Sequence, residues 1–408
     1  MEEQSQQKPP AQHGSDALTI QENWLAVKNG HASLVVLECP FFTDARIVGE
    51  LVQQSWPYAF LNTVPMHEEP GLVQMPLVLR IHYHLDGFPG AIDWKKTDAT
   101  RYHGGWLWDE VAALTSLCMG VRMKSGEPMR RFSASDADQF GRPTSAAAFR
   151  LPVIGLDKRR LVLPRVARTI GETETLRRLE SITWLRHGDV TALVKAARLY
   201  QEALWIAESD PGMAWLLLVS AIETAAEHWR SDHGSPSERL QESKPALKER
   251  LHAAGGDELV DFVANEIIDS LGATNKFVKF VLEHLPPEPK DRPSPAFQIP
   301  WSKTKLRENL GLIYKHRSDA LHGGTPFPAP MCEAPYFDQE SKQFADKPLG
   351  LASKSHGSVW TAADTPILLH AFEYISRGTL TTWWDSMANQ VKGSAKAVPA
   401  RAVPARHR

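Results

Sequence analysis

The feature that most constrains the fold is a run of nine residues, 214–222, that is apolar apart from Ser220. Residues 215–219 leave no polar face at helical spacing, and a helix that is apolar nearly all round is buried inside a protein. Residues 210–212, Asp-Pro-Gly, precede the run and mark a helix start. The run is far too short to span a membrane. The sequence therefore predicts a helix, continuing to Trp229, at the centre of a helical bundle.

A second helix, predicted from about Ser302 to Leu321, carries a charge on its apolar face. The residues at i, i+3, i+4, i+7 and i+11 on that face are Leu310, Ile313, Tyr314, Arg317 and Leu321. The Arg317 guanidinium is permanently charged, so its place among apolar neighbours requires an anion. Glu223 directly follows the apolar run, and we expect it to pair with Arg317, since a buried unpaired charge is costly.

His322 comes five residues after Arg317 and is followed by two glycines, which predicts that the helix ends in a left-handed turn. Residues 314–323, Tyr-Lys-His-Arg-Ser-Asp-Ala-Leu-His-Gly, resemble the terminal motif of the HEPN superfamily, closest to its Apea-like branch. Residues 214–223 resemble that family's long core helix with its acidic residue, and residues 275–281, Asn-Lys-Phe-Val-Lys-Phe-Val, resemble its middle helix. The resemblance covers roughly residues 192 to 388.

The resemblance implies an all-α bundle that is closed by the motif, and a metal-independent ribonuclease activity of the kind found in bacterial toxins and anti-phage defence proteins. It also implies RNA as a partner and a homodimer, because HEPN nucleases commonly pair two motifs. Active members tend to carry Asn, Asp or His directly after the Arg, whereas this chain has Ser318 there and Asp319 one position later. This departure leaves open a non-catalytic HEPN module that binds RNA, nucleotide or a protein partner.

The Arg-x4-His pair suits metal-free RNA cleavage. Histidine titrates near neutral pH and can take or give a proton, so His322 is one catalytic candidate. The fork of Arg317 matches phosphate oxygens and stabilises their developing charge. The supporting candidates are Tyr314, Ser318, Asp319 and Glu223. The alternative is structural: Arg317 only bridges two helices, and His322 only hydrogen-bonds in the turn, where the helix dipole favours a cation.

Two segments of the N-terminal half are periodic. Residues 77–84 alternate, with apolar Leu77, Leu79, Ile81 and Tyr83 on one side and polar Arg80, His82 and His84 on the other, which predicts a half-buried strand. Its polar face is solvated, contacts phosphates, or holds a metal ion. Residues 44–56 predict a helix with Ile47, Val48, Leu51 and Val52 on one side.

A further helix is predicted over residues 106–121, with Val111, Leu114, Cys118 and Val121 on one face. Trp106 and Trp108 stand at its start. Tryptophans in this position either pack in a core or domain contact, or stack on nucleic-acid bases.

Charge is concentrated between Lys158 and Arg198, where ten Lys and Arg stand against four acids. This segment is either a solvated linker and helix face or one wall of a groove for RNA phosphates. We place the domain boundary within it.

The predicted class is α+β: a disordered segment (1–22), a mixed α/β domain of unknown function (23–165), a basic linker (166–190), the HEPN-like bundle (191–389), and a disordered basic tail (390–408) that repeats the pentapeptide Ala-Val-Pro-Ala-Arg.

Composition narrows the remaining classes. The 408 residues are 42% hydrophobic, which is enough for two or three ordinary cores. The three cysteines, Cys39, Cys118 and Cys332, lie far apart and form no CxxC pair, so we expect reduced thiols. The polar start of the chain does not resemble a signal peptide, so we expect a cytoplasmic protein without a membrane partner. We expect no cofactor and no metal, since the P-loop, HExxH and Rossmann patterns are missing.

Overall fold

The structure is a computed structural model of the 408-residue chain. It describes residues 17–63, 72–85, 95–133, 141–144, 154, 160–167, 169–229, 235–267, 272–350, 352–355 and 357–396. The architecture is mixed α/β, with a β-sheet in the N-terminal half and mostly helices after it. At this level the predicted class is confirmed.

An antiparallel sheet organises the N-terminal half. The strands up to residue 172 are β1 (Val35–Thr43), β2 (Arg46–Val48), β3 (Tyr58–Asn62), β4 (Gln74–Tyr83), β5 (Lys124–Ser125), β6 (Arg130–Ser133), β7 (Arg142–Pro143) and β8 (Ile170–Glu172). The sheet has the order β3-β4-β1-β6-β7, and β5 also pairs with β1. In β4, Leu77, Leu79 and Ile81 are fully buried while Arg80 and His82 are half-buried, so the predicted alternation is confirmed.

The helix predicted over residues 44–56 is wrong. The chain forms the short strand β2 there, which pairs in parallel with β8, more than 100 residues later in the sequence. The β-branched Ile47 and Val48 suit a strand, and Gly49, with φ of +87°, ends it. Asp44 is held by the buried Arg122 at 2.7 Å, which leaves it unable to cap a helix. Ile47 and Val48, which suggest a helix face by their spacing, instead pair with a strand far along the chain.

Two helices join the sheet, α1 (Thr19–Lys28) and α2 (Leu107–Met119). Residues 19–22 were predicted to be disordered, but they form the first turn of α1, and the buried Gln21 donates to the carbonyls of Ile182 and Leu185. Residues 1–16 lie outside the described part. Helix α2 fits its prediction and ends at Gly120 in the left-handed region, with φ of +69°.

Eight helices occupy the chain after residue 160 in its described part: α3 (Pro164–Ala167), α4 (His187–Ile206), α5 (Pro211–Trp229), α6 (Pro236–Ser243), α7 (Pro245–Glu266), α8 (Ala273–Glu283), α9 (Lys303–His322) and α10 (Leu369–Lys396). Helix α5 contacts α4, α8, α9 and α10, as expected for a helix that is apolar nearly all round. Helices α6 and α7 pack around a small separate cluster of Leu240, Val260 and Ala264. Among the helices described, none has the length and apolarity needed to cross a bilayer.

The segment 166–190, predicted as a basic linker, is packed into the protein. It holds β8 and a 3₁₀ helix, Thr173–Thr183. Leu176, Leu179 and Ile182 recur every third residue, which is the period of a 3₁₀ helix, and all three are fully buried. One hydrophobic core joins residues of both halves of the chain, and the domain boundaries stay a prediction.

Residues 323–360 show no periodic apolar pattern, and the sequence therefore predicts a long loop there, but the structure has two small hairpins. Strand β9 (Phe337–Asp338) pairs with β10 (Gln343–Phe344), and β11 (Ala352–Ser355) pairs with β12 (Ser358–Thr361). The apolar residues Leu368, Phe372, Ile375 and Leu380 predict a closing helix over residues 361–389. The observed helix α10 begins eight residues later, at Leu369, and continues to Lys396, so residues 390–396 are helical where disorder is predicted. Residues 390–396 contain no proline that would break the helix. Residues 397–408 lie outside the described part.

Candidate functional site

The expected ion pair joins two facing helices. Arg317 of α9 donates from Nη2 to Oε2 of Glu223 in α5 at 2.7 Å. Their side chains are 20% and 23% exposed, so the pair is shielded but open on one side. Among the described residues this is the single hydrogen bond of the guanidinium, and the buried Nε has no partner. Arg317 therefore keeps N–H groups that can bind a second anion.

Tyr314 completes the environment of the carboxylate. Its hydroxyl donates to Oε1 of Glu223 at 2.8 Å, one helical turn before Arg317 on the same face. Burial and this hydrogen bond to Glu223 raise the pKa of Tyr314 to about 12. The Arg317 guanidinium also lies 5.6 Å from the centre of the Tyr314 ring. The Tyr314 hydroxyl thus holds the Glu223 carboxylate in place, and the carboxylate in turn orients the Arg317 guanidinium.

Aromatic contacts define the relative direction of α5 and α9. Trp215, near the start of α5, stacks on Phe327, which follows the end of α9, with ring centres 5.3 Å apart. Glu223 lies further along α5 and meets Arg317, which lies before the end of α9. The two helices therefore run antiparallel, and the C-terminal end of α9 lies beside the N-terminal part of α5.

His322 is the last residue of α9 and is exposed. Its helix ends as predicted in a left-handed glycine, but the glycine is Gly324, with φ of +65°, while Gly323 stays in a right-handed conformation. Leu321, assigned by its spacing to the apolar face, is 50% exposed. The last turn of α9 therefore exposes both Leu321 and His322. The imidazole of His322 is accessible to a substrate.

The two residues after Arg317 make few contacts. Ser318 and Asp319 are half-buried, and neither side chain has a hydrogen bond or salt bridge to another described residue. The backbone carbonyl of Asp319 accepts from Gly323 at 2.9 Å and from Thr325 at 3.1 Å, which closes the helix end. Their supporting role toward His322 or a substrate stays a prediction.

Glu223 also lines a cleft of about 940 Å³. The cleft lies between helices α4 and α5 and the segment before α2, and its wall includes Arg101, His187, Lys195, Glu227 and His228. No motif in the sequence marks these residues as a site. Lys195 and His187 lie in the basic segment 158–198, while Arg101, Glu227 and His228 lie far from it in the sequence, and no local pattern connects them.

A histidine and a carboxylate are paired at this cleft. His228, at the end of α5, lies with Nε2 2.7 Å from Oδ1 of Asp189, which is in the first turn of α4. Arg186 donates to both oxygens of the same carboxylate. Partial burial would raise the pKa of Asp189, but the hydrogen bonds from His228 and Arg186 outweigh it, and the net pKa is lowered. Asp189 therefore stays ionised and fixes the His228 ring.

The polar face of β4 is partly covered. Arg80 pairs with Glu38 at 2.9 Å and lies over the Phe132 ring, so its charge is already engaged. Burial, aided by Arg80 and His84, lowers the pKa of His82. A neutral His82 beside a neutralised Arg80 offers little to phosphates. Within the described residues, no group of three or more His, Cys, Asp or Glu side chains is arranged to hold a metal ion.

The two tryptophans at the start of α2 differ in burial. Trp108 packs against the core, as predicted for a structural residue. Trp106 precedes the first residue of α2 and is largely exposed. The interpretation as core or domain contact therefore fits only Trp108.

The comparisons with known proteins found no counterpart. No protein-family model, no curated protein and no solved structure matches this chain.

Proposed function

We propose that this protein is a metal-independent endoribonuclease whose helices α4, α5, α8, α9 and α10 form a HEPN-type bundle. One observation supports this most: Arg317 is oriented by Glu223 and keeps free N–H groups, on a helix whose end presents His322 to solvent. The resemblance of residues 314–323 to the HEPN motif gives the reaction class. A bacterial toxin or anti-phage defence setting belongs to the same proposal.

In the proposed reaction the 2′-hydroxyl oxygen attacks the adjacent phosphorus, and the bond from phosphorus to the 5′-oxygen breaks. One group removes the 2′-hydroxyl proton and another protonates the leaving oxygen, and His322 performs one of these transfers. Arg317 binds the non-bridging oxygens, whose negative charge grows in the transition state. The products are a 2′,3′-cyclic phosphate and a free 5′-hydroxyl.

A second copy of the chain completes the proton-transfer set. One motif supplies one histidine, and a two-fold contact between α9 helices brings two His322 side chains to the same site. The half-exposed Leu321 beside His322 supports this arrangement, because it offers an apolar contact at the helix end. The expected protein is a homodimer in which α9 lies near the axis.

The test is cleavage of a labelled single-stranded RNA by the full chain in EDTA. His322→Ala should lower the rate by about 10²- to 10⁴-fold, since it removes a positioned proton-transfer group. Arg317→Lys should also be slow, because lysine keeps the charge near Glu223 but lacks the fork. His252→Ala, which changes an exposed histidine of α7, is the matched control and should cleave at the parent rate.

Product analysis separates this reaction from contamination. The RNA ends should be 2′,3′-cyclic phosphates, and a DNA of the same sequence should survive, since it has no 2′-hydroxyl. Cleavage that persists unchanged in His322→Ala, or folded protein that leaves all RNA intact, would refute the nuclease.

A non-catalytic binding module is the second candidate, and one observation favours it. The charge of Arg317 is already neutralised by Glu223 at 2.7 Å, as in a structural bridge between helices. In that case Arg317→Lys should affect stability while His322→Ala changes neither stability nor RNA integrity.

A further inference from the structure

Two aromatic side chains are exposed on the segment of residues 100–106, called here the aromatic segment. Tyr102 is 75% exposed and Trp106 is 63% exposed. Large aromatic side chains contribute strongly to interfaces, so two exposed rings on one ordered segment are available to bind flat groups. Tyr102 directly follows Arg101, which lines the cleft beside α4 and α5.

The aromatic segment is held in place by side chains that leave its two rings outside. Three contacts fix it: the buried pair of His103 Nε2 and Glu110 Oε1 at 2.8 Å, the bond from Lys195 Nζ to the Thr100 carbonyl at 2.7 Å, and the bond from Arg198 Nη2 to the Gly104 carbonyl at 3.3 Å. Tyr102 precedes the buried His103 in the chain, and Trp106 follows it. Because these contacts hold the backbone in place, the two rings stay on the surface.

The ring of Trp106 is also supported from below. It stacks on Trp108 with ring centres 6.1 Å apart and planes at 29°, and Trp108 packs against the core. A ring that is held before binding loses little conformational freedom when a second flat group stacks on its open face. Nucleic-acid bases are such groups, and each contributes stacking whatever its sequence.

The cleft next to this segment favours an anion. Its acids already have cationic partners, since Glu223 pairs with Arg317 and Glu227 pairs with Lys276. Lys195 has no acidic partner among the described residues and donates to a backbone carbonyl. Arg101 lines the same space and donates from Nη1 to the carbonyl of Ala17 at 3.3 Å. The charge of Lys195, which no acid neutralises within the described residues, therefore attracts phosphate groups.

We propose that this cleft and the aromatic segment bind single-stranded RNA, with phosphates against Lys195 and Arg101 and unstacked bases against Trp106 and Tyr102. This inference rests on the proposed function. It adds the place where the RNA binds and the requirement that the RNA be single-stranded. Duplex RNA hides its base faces within the stack, so the exposed rings favour a single strand.

The cleft is within reach of the proposed catalytic pair. His228 lies five residues after Glu223 along α5, and His322 lies five residues after Arg317 along the antiparallel α9. At 1.5 Å per residue, the two histidines are separated by about 15 Å along the helix axes. A strand of a few nucleotides spans that axial distance, so RNA that lies in the cleft beside His228 would extend toward His322.

The experiment measures binding of a 5′-labelled, unstructured 12-nucleotide RNA by fluorescence anisotropy, with every variant made in the His322→Ala background to prevent cleavage. Trp106→Ala should weaken binding about 5- to 100-fold, the loss of one stacked base. Lys195→Met should weaken binding and lower the slope of log K against log salt by about 0.7, the loss of one phosphate contact. A duplex of the same sequence should compete poorly.

Matched controls come from helices α6 and α7, which have their own small core. Phe262→Ala removes an equally exposed aromatic ring, and Lys244→Met removes an exposed lysine. Both should bind RNA like the His322→Ala parent. Circular dichroism of each variant should match that of the parent.

The outcomes separate this inference from the proposed nuclease. RNA bound equally well by Trp106→Ala, Lys195→Met and the parent would overturn the cleft as the binding site while cleavage by the wild type still stands. Binding that depends on Trp106 and Lys195, without cleavage by the wild type, would support the cleft and refute the nuclease. No binding and no cleavage would refute both.

Discussion

At the scale of single residues, Tyr314 has the clearest role, since it supports the carboxylate that orients Arg317. Its hydroxyl and the guanidinium bind different oxygens of Glu223, at 2.8 Å and 2.7 Å. The three side chains come from two helices only, so their geometry depends on how α5 and α9 pack. A change at Tyr314 therefore tests the support of the ion pair without touching either charge.

Tyr314→Phe should lower the free energy of unfolding by about 1 kcal/mol, because a hydrogen bond to a charged but partly exposed acceptor is lost. Glu223→Gln should cost a similar amount, and the double variant should cost less than the sum, as expected for contacting residues. Urea unfolding at neutral pH measures all three. Tyr336→Phe, on a half-exposed tyrosine, is the control. A loss no larger than that of Tyr336→Phe would show that the hydroxyl contributes nothing.

At the scale of elements, the start of α10 is tied to the hairpin strand β10 through a buried histidine. His370 donates from Nε2 to the carbonyl of Ala345, next to β10, at 2.7 Å, while its buried Nδ1 has no partner among the described residues. Burial, to which Arg165 adds, lowers the pKa of His370 to about 4, although the bond to Ala345 opposes the shift. The folded protein thus holds this ring neutral.

The consequence is a loss of stability in acid. The pKa of His370 is about 4 in the folded state and near 6.5 in the unfolded state, so the unfolded chain binds more protons between these values. Stability contributed by the neutral ring is complete above pH 6.5 and is lost as the pH falls toward 4. The expected loss is on the order of 3 kcal/mol, at 1.36 kcal/mol for each pH unit.

His370→Gln should remove this dependence, because a glutamine amide can donate to Ala345 but does not titrate. Urea unfolding at pH 7, 5.5 and 4 should show a smaller acid loss in His370→Gln than in the wild type. Burial also lowers the pKa of His82 and of His284, so the difference between variant and wild type is the relevant quantity. His252→Gln, at an exposed site, should keep the wild-type slope. Equal slopes in all three proteins would contradict the prediction.

At the scale of the whole molecule, one buried guanidinium connects the two halves. Arg122 follows α2 and is fully buried, with salt bridges of 2.7 Å to Asp44 beside β1 and 2.6 Å to Glu208 after α4. Its Nε donates to the carbonyl of Leu204 in α4 at 2.8 Å. Glu208 also accepts from the backbone of Val162. The Arg122 guanidinium therefore links the end of α2 to helix α4 and to the loop after β1 of the sheet.

Arg122→Met should cost about 3–5 kcal/mol, because it leaves two carboxylates buried without a cation. Adding Asp44→Asn should restore part of that loss by removing one of the stranded charges. Arg80→Met breaks a partly exposed pair with Glu38 and should cost at most about 1 kcal/mol. Urea unfolding followed by tryptophan fluorescence compares the three. A cost for Arg122→Met as small as that for Arg80→Met would refute the role of this network.

The sequence by itself determined the elements whose pattern is local. The alternation of residues 77–84 gave β4, the uniformly apolar run 214–222 gave the central helix α5, and the need of a charged side chain for an anion gave the pair of Arg317 and Glu223. In each case the deciding information lies within one turn or one strand, or in a rule of charge compensation that holds wherever the charge is buried.

Only the tertiary structure decided the rest. Residues 46–48 became a strand because β8 lies beside them, and residues 176–182 became buried because α1 and α2 pack against them. The cleft depends on the contact of Asp189 with His228 and on that of Lys195 with the Thr100 carbonyl, between residues 39 and 95 positions apart. Such contacts arise when distant elements pack together, and hydrophobic periodicity records that a residue is buried but not which element buries it.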